Sequence, residues 1–241
     1  MDSPSKPNRR RLTPAEEEYL ESIFMHQRRF GRGIRVKELA EELGVRDPSA
    51  VQMLRKLSGK GLVRYGRRLG ARLTRHGARR AAMIVRRHEL AERLLHDVFG
   101  RDLYRAHEEA CKFEHVLDDE LADEIEAMLG RPKTCPHGSP IPGKDGRVER
   151  LEAPSLDEVA EGERCEILAI PEDREALQRL MSLNLIPGSV VEVVERAPLG
   201  ALMVRCGGAQ VALSRNLAAR ILVRRHVEKR ARRGYRHGAR R

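Results

Sequence analysis

The segment VKELAEELGVRDPSAVQMLRKLSGKGLV, residues 36–63, decides the fold of the first part of the chain. Apolar residues recur in it at intervals of three and four, as they do along the buried face of an amphipathic helix. The pattern is interrupted at 44–46, where a glycine allows a tight turn. Two short helices that pack through Leu39, Leu54 and Leu57 are therefore expected, and this arrangement is typical of a helix-turn-helix.

A basic hairpin is expected directly after these two helices. The stretch LVRYGRRLGARL (62–73) has two strand-like pieces around Gly66 and Gly70, with arginines at 64, 67, 68 and 72. A basic β-wing beside a helix-turn-helix can reach the phosphate backbone or the minor groove of DNA. We therefore predict a winged helix-turn-helix over residues 12–76. The alternative for the helices alone is a generic three-helix core.

The helix-turn-helix and the hairpin offer side chains for contacts with double-stranded DNA. Gln52 is expected on the outer face of the second helix, where an amide can pair bidentately with adenine. Ser49 and the neighbouring cations suit phosphate contacts, which give salt-dependent affinity. The candidate DNA-binding residues are Arg46, Ser49, Gln52, Arg55, Lys56, Arg67 and Arg68. The alternative for each single residue is an ordinary solvated face.

Charge is distributed unevenly along the 241 residues, although the net charge is +11. Residues 1–80 contain 20 Lys/Arg and 9 Asp/Glu, residues 81–223 contain 18 and 26, and residues 224–241 contain 9 and 1. Basic ends favour a polyanionic partner, and nucleic acid fits better than a membrane because no basic amphipathic helix rich in Trp, Phe or Leu accompanies the charge. The arm 1–11 and the tail 225–241 are predicted to be disordered.

Two further features bear on location and on the cysteines. No stretch approaches 18 consecutive apolar residues, so we expect a cytoplasmic protein with no membrane partner. In that reducing compartment the four cysteines, at 111, 135, 165 and 206, are expected to be thiols or ligands. Cys165 and Cys206 lie among apolar residues and are predicted to belong to the core.

Residues 77–142 are predicted to form a helical block for metal binding and dimerisation. His88 and Glu92 are four residues apart on one helix, and His107, Cys111, Glu114 and His115 lie along one side of the next. Thiolate, imidazole and carboxylate ligands together suit a late first-row divalent ion. The broad apolar face of the first helix, which includes Leu90, predicts a homodimer. The alternative for the His- and Glu-rich helices is a solvated face.

The composition changes after a linker at 143–155. Short β-rich pieces separated by Gly and Pro occupy residues 156–224, with one helical stretch at 173–185. This pattern predicts a small five-stranded barrel with one helix. The predicted fold class is therefore mainly α, with a winged helix-turn-helix, a helical dimerisation domain and a small all-β SH3-like barrel at the C-terminus.

Three segments together resemble a known family. They are RRHELAERLL (86–95), RAHEEACKFEHVLDDE (105–120) and CPHGSPIPG (135–143). With the winged helix they resemble the diphtheria-toxin-repressor family of metal-dependent transcriptional regulators, and the C-terminal barrel is similar to the ferrous-iron-transport A type of SH3-like domain. The resemblance implies a non-enzymatic repressor in which Fe2+ or Mn2+ acts as corepressor, so that a dimer binds operator DNA and controls metal-homeostasis genes.

The resemblance also implies two metal sites. The activating site would contain Glu18, Glu21, Cys111, Glu114 and His115. The ancillary site would contain His88, Glu92 and His107, joined in longer relatives by Cys135, His137 and Asp173. Iron-responsive members tend to have Met in place of Glu18, and manganese-responsive members have Glu in place of Cys111. This chain mixes the two patterns, and Co2+ or Zn2+ would substitute in vitro.

Two alternative functions remain open at this point. In the first, the metal is purely structural in a dimer that binds DNA constitutively. In the second, the chain is a metallohydrolase in which Glu92 or Glu114 acts as a base beside metal-bound water. The absence of an HExxH pair and the presence of a winged helix argue against the hydrolase.

Overall fold

The computed structural model describes residues 12–66, 68–197 and 200–225. The predicted N-terminal arm, nearly all of the predicted basic tail and Arg67 lie outside these ranges. The chain divides into two compact units, 1–151 and 152–241, and each is described by itself.

The first unit begins with three helices and a two-stranded wing. These elements are α1 (Pro14–Phe30), α2 (Val36–Glu42), α3 (Asp47–Gly59), β1 (Val63–Gly66) and β2 (Gly70–Leu73). The two strands are antiparallel, with Val63 opposite Leu73. Leu20, Leu39 and Leu54 are fully buried in one core that joins the three helices. The predicted winged helix-turn-helix is therefore confirmed, and α3 is its recognition helix.

Local sequence fixes both ends of α1. Thr13 forms a capping box with Glu16, in which each side chain accepts from the backbone N–H of the other residue, and Pro14 opens the helix. The helix ends at Gly31, which adopts a left-handed φ of +66°. The capping box holds the first turn of α1, which contains Glu16 and Glu17, in one orientation.

The second half of the first unit is a helical block. It consists of α4 (Arg75–Arg93) with a π-helical turn at Leu94–Val98, α5 (Leu103–Phe113) and α6 (Asp119–Met128). Ala81 of α4 packs in the winged-helix core, whereas Ala91 packs against α5 and α6. Gly77 fits closely against the wing, because a Cβ there would lie 1.9 Å from the carbonyl oxygen of Leu62. One helix thus connects the DNA-binding part with the helical block.

Most of the apolar face of α4, which was expected to take part in dimerisation, is covered within the chain itself. Leu90 and Leu95 are buried against Ala106 and Ala110 of α5 and Ala122 of α6. Small residues at the facing positions let the three helices approach closely, so the wide face is covered from two sides. Val98, at the far end of the predicted face, stays exposed. The other exposed large apolar residues of this region are Phe99, Phe113, Val116, Leu121 and Met128.

The second unit is a five-stranded antiparallel sheet with two helices, of which the sequence predicted the longer one. Its elements are β3 (Arg164–Ala169), α7 (Arg174–Ser182), β4 (Val190–Arg196), β5 (Ala201–Cys206), β6 (Ala209–Ser214), α8 (Arg215–Ala218) and β7 (Leu222–Arg225). The strand order is β6-β5-β4-β3-β7. Cys165 and Cys206 are buried, as predicted. The predicted fold class is confirmed, and no helix in the described part of the chain is long and apolar enough to cross a membrane.

Candidate metal centre and DNA-binding surface

His88 on α4 is the centre of a buried polar cluster. Its Nδ1 atom lies 2.7 Å from a carboxylate oxygen of Glu114, and its Nε2 atom lies 3.0 Å from Glu92 and 3.2 Å from His107. The ring is 4% exposed. Both ring nitrogens therefore face potential metal ligands, which come from α4, from α5 and from the turn after α5.

Glu92 extends this cluster towards the loop after α6. One carboxylate oxygen lies 2.7 Å from His107 Nδ1, and the other lies 3.1 Å from His137 Nδ1. Cys135 Sγ lies 3.8 Å from the same His137 atom. Glu92, Cys135 and His137 are all buried. The proline-punctuated segment after α6 therefore supplies a thiol and an imidazole to the carboxylate of α4.

Three groups among the described residues of the first unit bring potential ligand atoms within 4.8 Å of one another. Their members are His88, His107 and Cys111; Glu92, Cys135 and His137; and Glu21, His88 and Glu114. His88 belongs to two of these groups, so those two are adjacent. Nitrogen, oxygen and sulfur donors in one place fit a late first-row divalent ion better than Ca2+ or Mg2+.

For both His88 and Glu92, burial and the neighbouring polar groups shift the pKa in opposite directions. Burial alone lowers the pKa of His88, but the carboxylate of Glu92 and the hydrogen bond with Cys111 lead the contributions that outweigh it, and the pKa lies well above its usual value. Burial alone raises the pKa of Glu92, but the imidazoles of His137 and His88 hold that pKa well below its usual value. Because a ligand imidazole must be neutral, a divalent ion bound here would displace the proton of His88.

Glu17 is a contact residue that the sequence did not single out. Its carboxylate lies 2.9 Å from His115 Nδ1 and 3.0 Å from Arg87 Nη2, and the other nitrogen of His115 lies 3.6 Å from Glu114. A carboxylate on one imidazole nitrogen orients the ring and leaves the second nitrogen for a metal. The available signal was spacing, because Glu17 and Glu21 are four residues apart and share a face of α1.

Some predicted metal ligands lie apart from these groups. Glu18 is exposed and belongs to none of the three. Asp173 lies in the second unit, where it caps α7 by accepting from the N–H of Ala176 at 3.2 Å and pairs with Arg220. Cys111 is exposed but belongs to the group with His88. The metal ligand set stays a prediction, as do the roles of Glu18 and Asp173.

The candidate DNA-binding residues are accessible where they are described. Gln52, Ser49 and Arg55 are exposed on α3, and Arg46 is exposed at its N-cap. Arg68 is exposed in the wing, while Arg67 lies outside the described residues. The side chain of Lys56 is 53% exposed and lies 3.1 Å from Glu16. An exposed α3 face beside a basic wing suits contacts with a duplex, and the individual residues stay predictions.

Comparison with family models gives three matches that together span most of the chain. Residues 11–71 match the N-terminal DNA binding domain of iron dependent repressors, and residues 74–143 match the metal binding and dimerisation domain of iron dependent repressors. Residues 155–225 match the FeoA domain. These matches correspond in order to the winged helix, the helical block and the second unit.

Individual relatives agree with these matches. The chain is 30% identical to the iron-dependent repressor IdeR of Mycobacterium leprae over 206 residues, which are 80% of this chain and 89% of that protein. It is 28% identical to the diphtheria toxin repressor of Corynebacterium glutamicum over 227 residues, which are 88% of this chain and 96% of the relative. A solved structure of a manganese-dependent transcriptional repressor with manganese is 34% identical, with a TM-score of 0.78, and the match covers 86% of this chain and 98% of that one.

Proposed function

The chain belongs to the iron-dependent repressor family of metal-dependent transcriptional repressors, and we propose that Fe2+ or Mn2+ is its corepressor. Metal would enable a homodimer to bind operator DNA and to control metal-homeostasis genes. One observation carries the proposal: Glu21 belongs to the winged helix, whereas its group partners His88 and Glu114 belong to the helical block. A metal ion held by such a group would fix the DNA-binding part relative to the helical block.

The free energy of metal binding is large enough to switch DNA binding on and off. The carboxylates of Glu21 and Glu114 face at most the single positive charge of a protonated His88, whereas a divalent ion in its place brings two positive charges and favours the arrangement that holds the three side chains together. A metal that binds only the DNA-competent arrangement stabilises it by RT ln(1 + [M]/Kd), about 2.7 kcal/mol at a hundredfold excess over Kd. This free energy corresponds to about a hundredfold change in operator affinity.

The donor set supports more than one metal. The thiols of Cys111 and Cys135 favour Fe2+, Co2+ or Zn2+, whereas the glutamates also suit Mn2+. The Mycobacterium leprae relative is named as iron-dependent, and the solved relative contains manganese. We therefore propose Fe2+ or Mn2+ as the physiological ion, with Co2+ or Zn2+ as substitutes in vitro.

The proposal also includes a dimer that acts without catalysis in the cytoplasm. Exposed apolar side chains concentrate in residues 98–121, where a second copy of the chain would cover them. Two recognition helices in a dimer can contact two half-sites of an operator. The relatives are transcriptional repressors, which supports a regulatory role over that of a hydrolase.

An operator titration tests the proposed function. The probe is a duplex selected in vitro with the Mn2+-loaded protein, and its binding is measured by fluorescence anisotropy with Fe2+ (under anaerobic conditions), Mn2+, Co2+, Zn2+ or EDTA. We expect about a hundredfold weaker binding in EDTA than at saturating metal. Equal affinity in EDTA and in every metal would instead support a constitutive DNA-binding protein.

Metal binding is expected to weaken as the pH falls. The raised pKa of His88 favours the protonated imidazole, and a metal ion that binds to this side chain must displace the proton. The apparent Kd for Mn2+ should therefore rise by up to about tenfold for each pH unit below neutrality. Titration calorimetry at pH 7 in buffers of different ionisation enthalpy measures the protons released. A release of zero protons per Mn2+ would contradict ligation by His88.

A further inference from the structure

Glu16 is a buried carboxylate in the first turn of α1, and its partners lie at the end of the recognition helix. Its Oε1 atom lies 2.5 Å from Lys60 Nζ and 3.1 Å from Lys56 Nζ. Its Oε2 atom accepts from the backbone N–H of Thr13 at 3.0 Å. Lys56 lies in the last turn of α3, and Lys60 follows that helix directly. One side chain thus joins the start of α1 to the end of α3.

The two lysines keep this carboxylate charged. Burial alone raises the pKa of Glu16, but the hydrogen bonds from Lys60, from the backbone of Thr13 and from Lys56 outweigh it and lower the pKa to about 2. Removing one partner of a buried ion pair leaves an uncompensated charge, which is strongly unfavourable. The first turn of α1 and the last turn of α3 are therefore expected to move together.

The neighbouring residue, Glu17, connects the same turn to the helical block. Its carboxylate contacts Arg87 of α4 and His115 after α5. Lys60 and Arg87 both line a cavity of about 760 Å³, so the end of α3 is not tightly packed against α4 and the turn after α5 at this point. Adjacent glutamates of one helical turn thus connect the candidate metal centre on one side with the recognition helix on the other.

We propose that Glu16 is a positioning residue that transmits metal binding to the recognition helix. The inference rests on the proposed function, in which metal fixes α1 against the helical block. A displacement of the first turn of α1 would be passed through Glu16 to Lys56. Gln52 lies one turn earlier on the same face of α3, so the side chain expected to read a base would be displaced with it.

The variant Glu16→Gln tests this role because it keeps the shape of the side chain and removes its charge. Coupling between metal and DNA is reciprocal, so it is measured as the ratio of DNA affinities with and without metal. We expect this ratio, taken with Mn2+ and with EDTA, to fall by about tenfold in the variant. The affinity of the DNA-free protein for Mn2+, measured by calorimetry, should change by less than about twofold.

Glu38→Gln provides a matched control. Glu38 is another carboxylate of the winged helix with a pKa of about 2, but its hydrogen bonds go to Arg32 and to the backbone of Arg35, which lie outside α1 and α3. Its interaction with α1 is a weaker charge interaction with His26, and none of these partners lies on α3. Its removal should leave the coupling ratio unchanged. If Glu16→Gln folds poorly, Lys60→Gln is the second variant, because it removes the nearer ammonium group and keeps the hydrogen bond between Glu16 and the backbone of Thr13. It should lower the coupling ratio in the same direction.

The outcomes separate the two proposals. An unchanged coupling ratio in folded Glu16→Gln, with a normal metal response in the wild type, would overturn the positioning role alone. An equal loss of DNA affinity with and without Mn2+ would also overturn it, because a merely structural role predicts that result. A wild-type protein without any metal response would overturn the proposed function together with this inference.

Discussion

His88→Ala is expected to abolish the metal response of DNA binding. His88 belongs to two of the three candidate ligand groups, so the substitution removes a ligand from both. The difference in operator affinity between Mn2+-loaded and chelated protein should fall from about a hundredfold to less than about twofold. The stoichiometry of bound Mn2+, measured by elemental analysis after gel filtration, should fall as well.

A control on the same helix separates ligation from general damage. His76→Ala removes an exposed histidine from the first turn of α4, and His76 belongs to none of the ligand groups. It should retain the full metal response. His88→Gln fills most of the space left by the imidazole and is the second variant if the alanine variant unfolds. A folded His88 variant that still responds to Mn2+ by about a hundredfold would exclude the candidate centre as the switch.

Helical spacing was enough to predict which side chains of one helix lie together. His88 and Glu92, four residues apart, are 3.0 Å apart in the structure. The same spacing places His107 and Cys111 on one face of α5. Spacing within a helix depends only on the 3.6-residue period, so it can be read without knowing the tertiary structure.

Contacts between helices could not be read in the same way. Glu17 and Glu18 are both one turn from Glu21, yet Glu17 contacts His115 and Glu18 is exposed. Only the rotation of α1 against its neighbours decides between them. The burial of Glu16 could have been predicted from the sequence, because Glu16 lies four residues before the apolar Leu20 and shares its helix face. A glutamate on a buried face requires a cationic partner.

Periodicity likewise identified an apolar face of α4 but not what covers it. The face that includes Leu90 is covered by α5 and α6 of the same chain, through alanines at close-packed positions. The exposed residues Phe99 and Val116 lie outside the helical pattern, at a helix end and in a turn. A subunit interface built from such residues cannot be predicted from helical periodicity, because its residues do not recur at a regular spacing.

Phe99→Asp is expected to disrupt the proposed homodimer and, with it, operator binding. Phe99 is 61% exposed, and its neighbour Val98 is 56% exposed. Covering such side chains with a second copy removes apolar surface from water, whereas an aspartate in the same place would bury an unpaired charge. We expect dimerisation at saturating Mn2+ to weaken by at least about a hundredfold, because the substitution occurs in both subunits and a loss of about 2 kcal/mol in each amounts to about 4 kcal/mol for the dimer. Analytical ultracentrifugation measures this change.

Operator binding should fall with the dimer, because a monomer presents one recognition helix and loses the advantage of engaging two half-sites together. Below the dimerisation Kd of the variant, we expect its operator affinity at saturating Mn2+ to be at least about a hundredfold weaker than that of the wild type. Val190→Asp is a suitable control, since Val190 is an exposed apolar residue of β4 in the second unit. If Phe99→Asp stays dimeric and Val190→Asp does not, the subunit interface lies in the second unit and not in residues 98–121. If both stay dimeric and bind the operator normally, neither residue belongs to the interface.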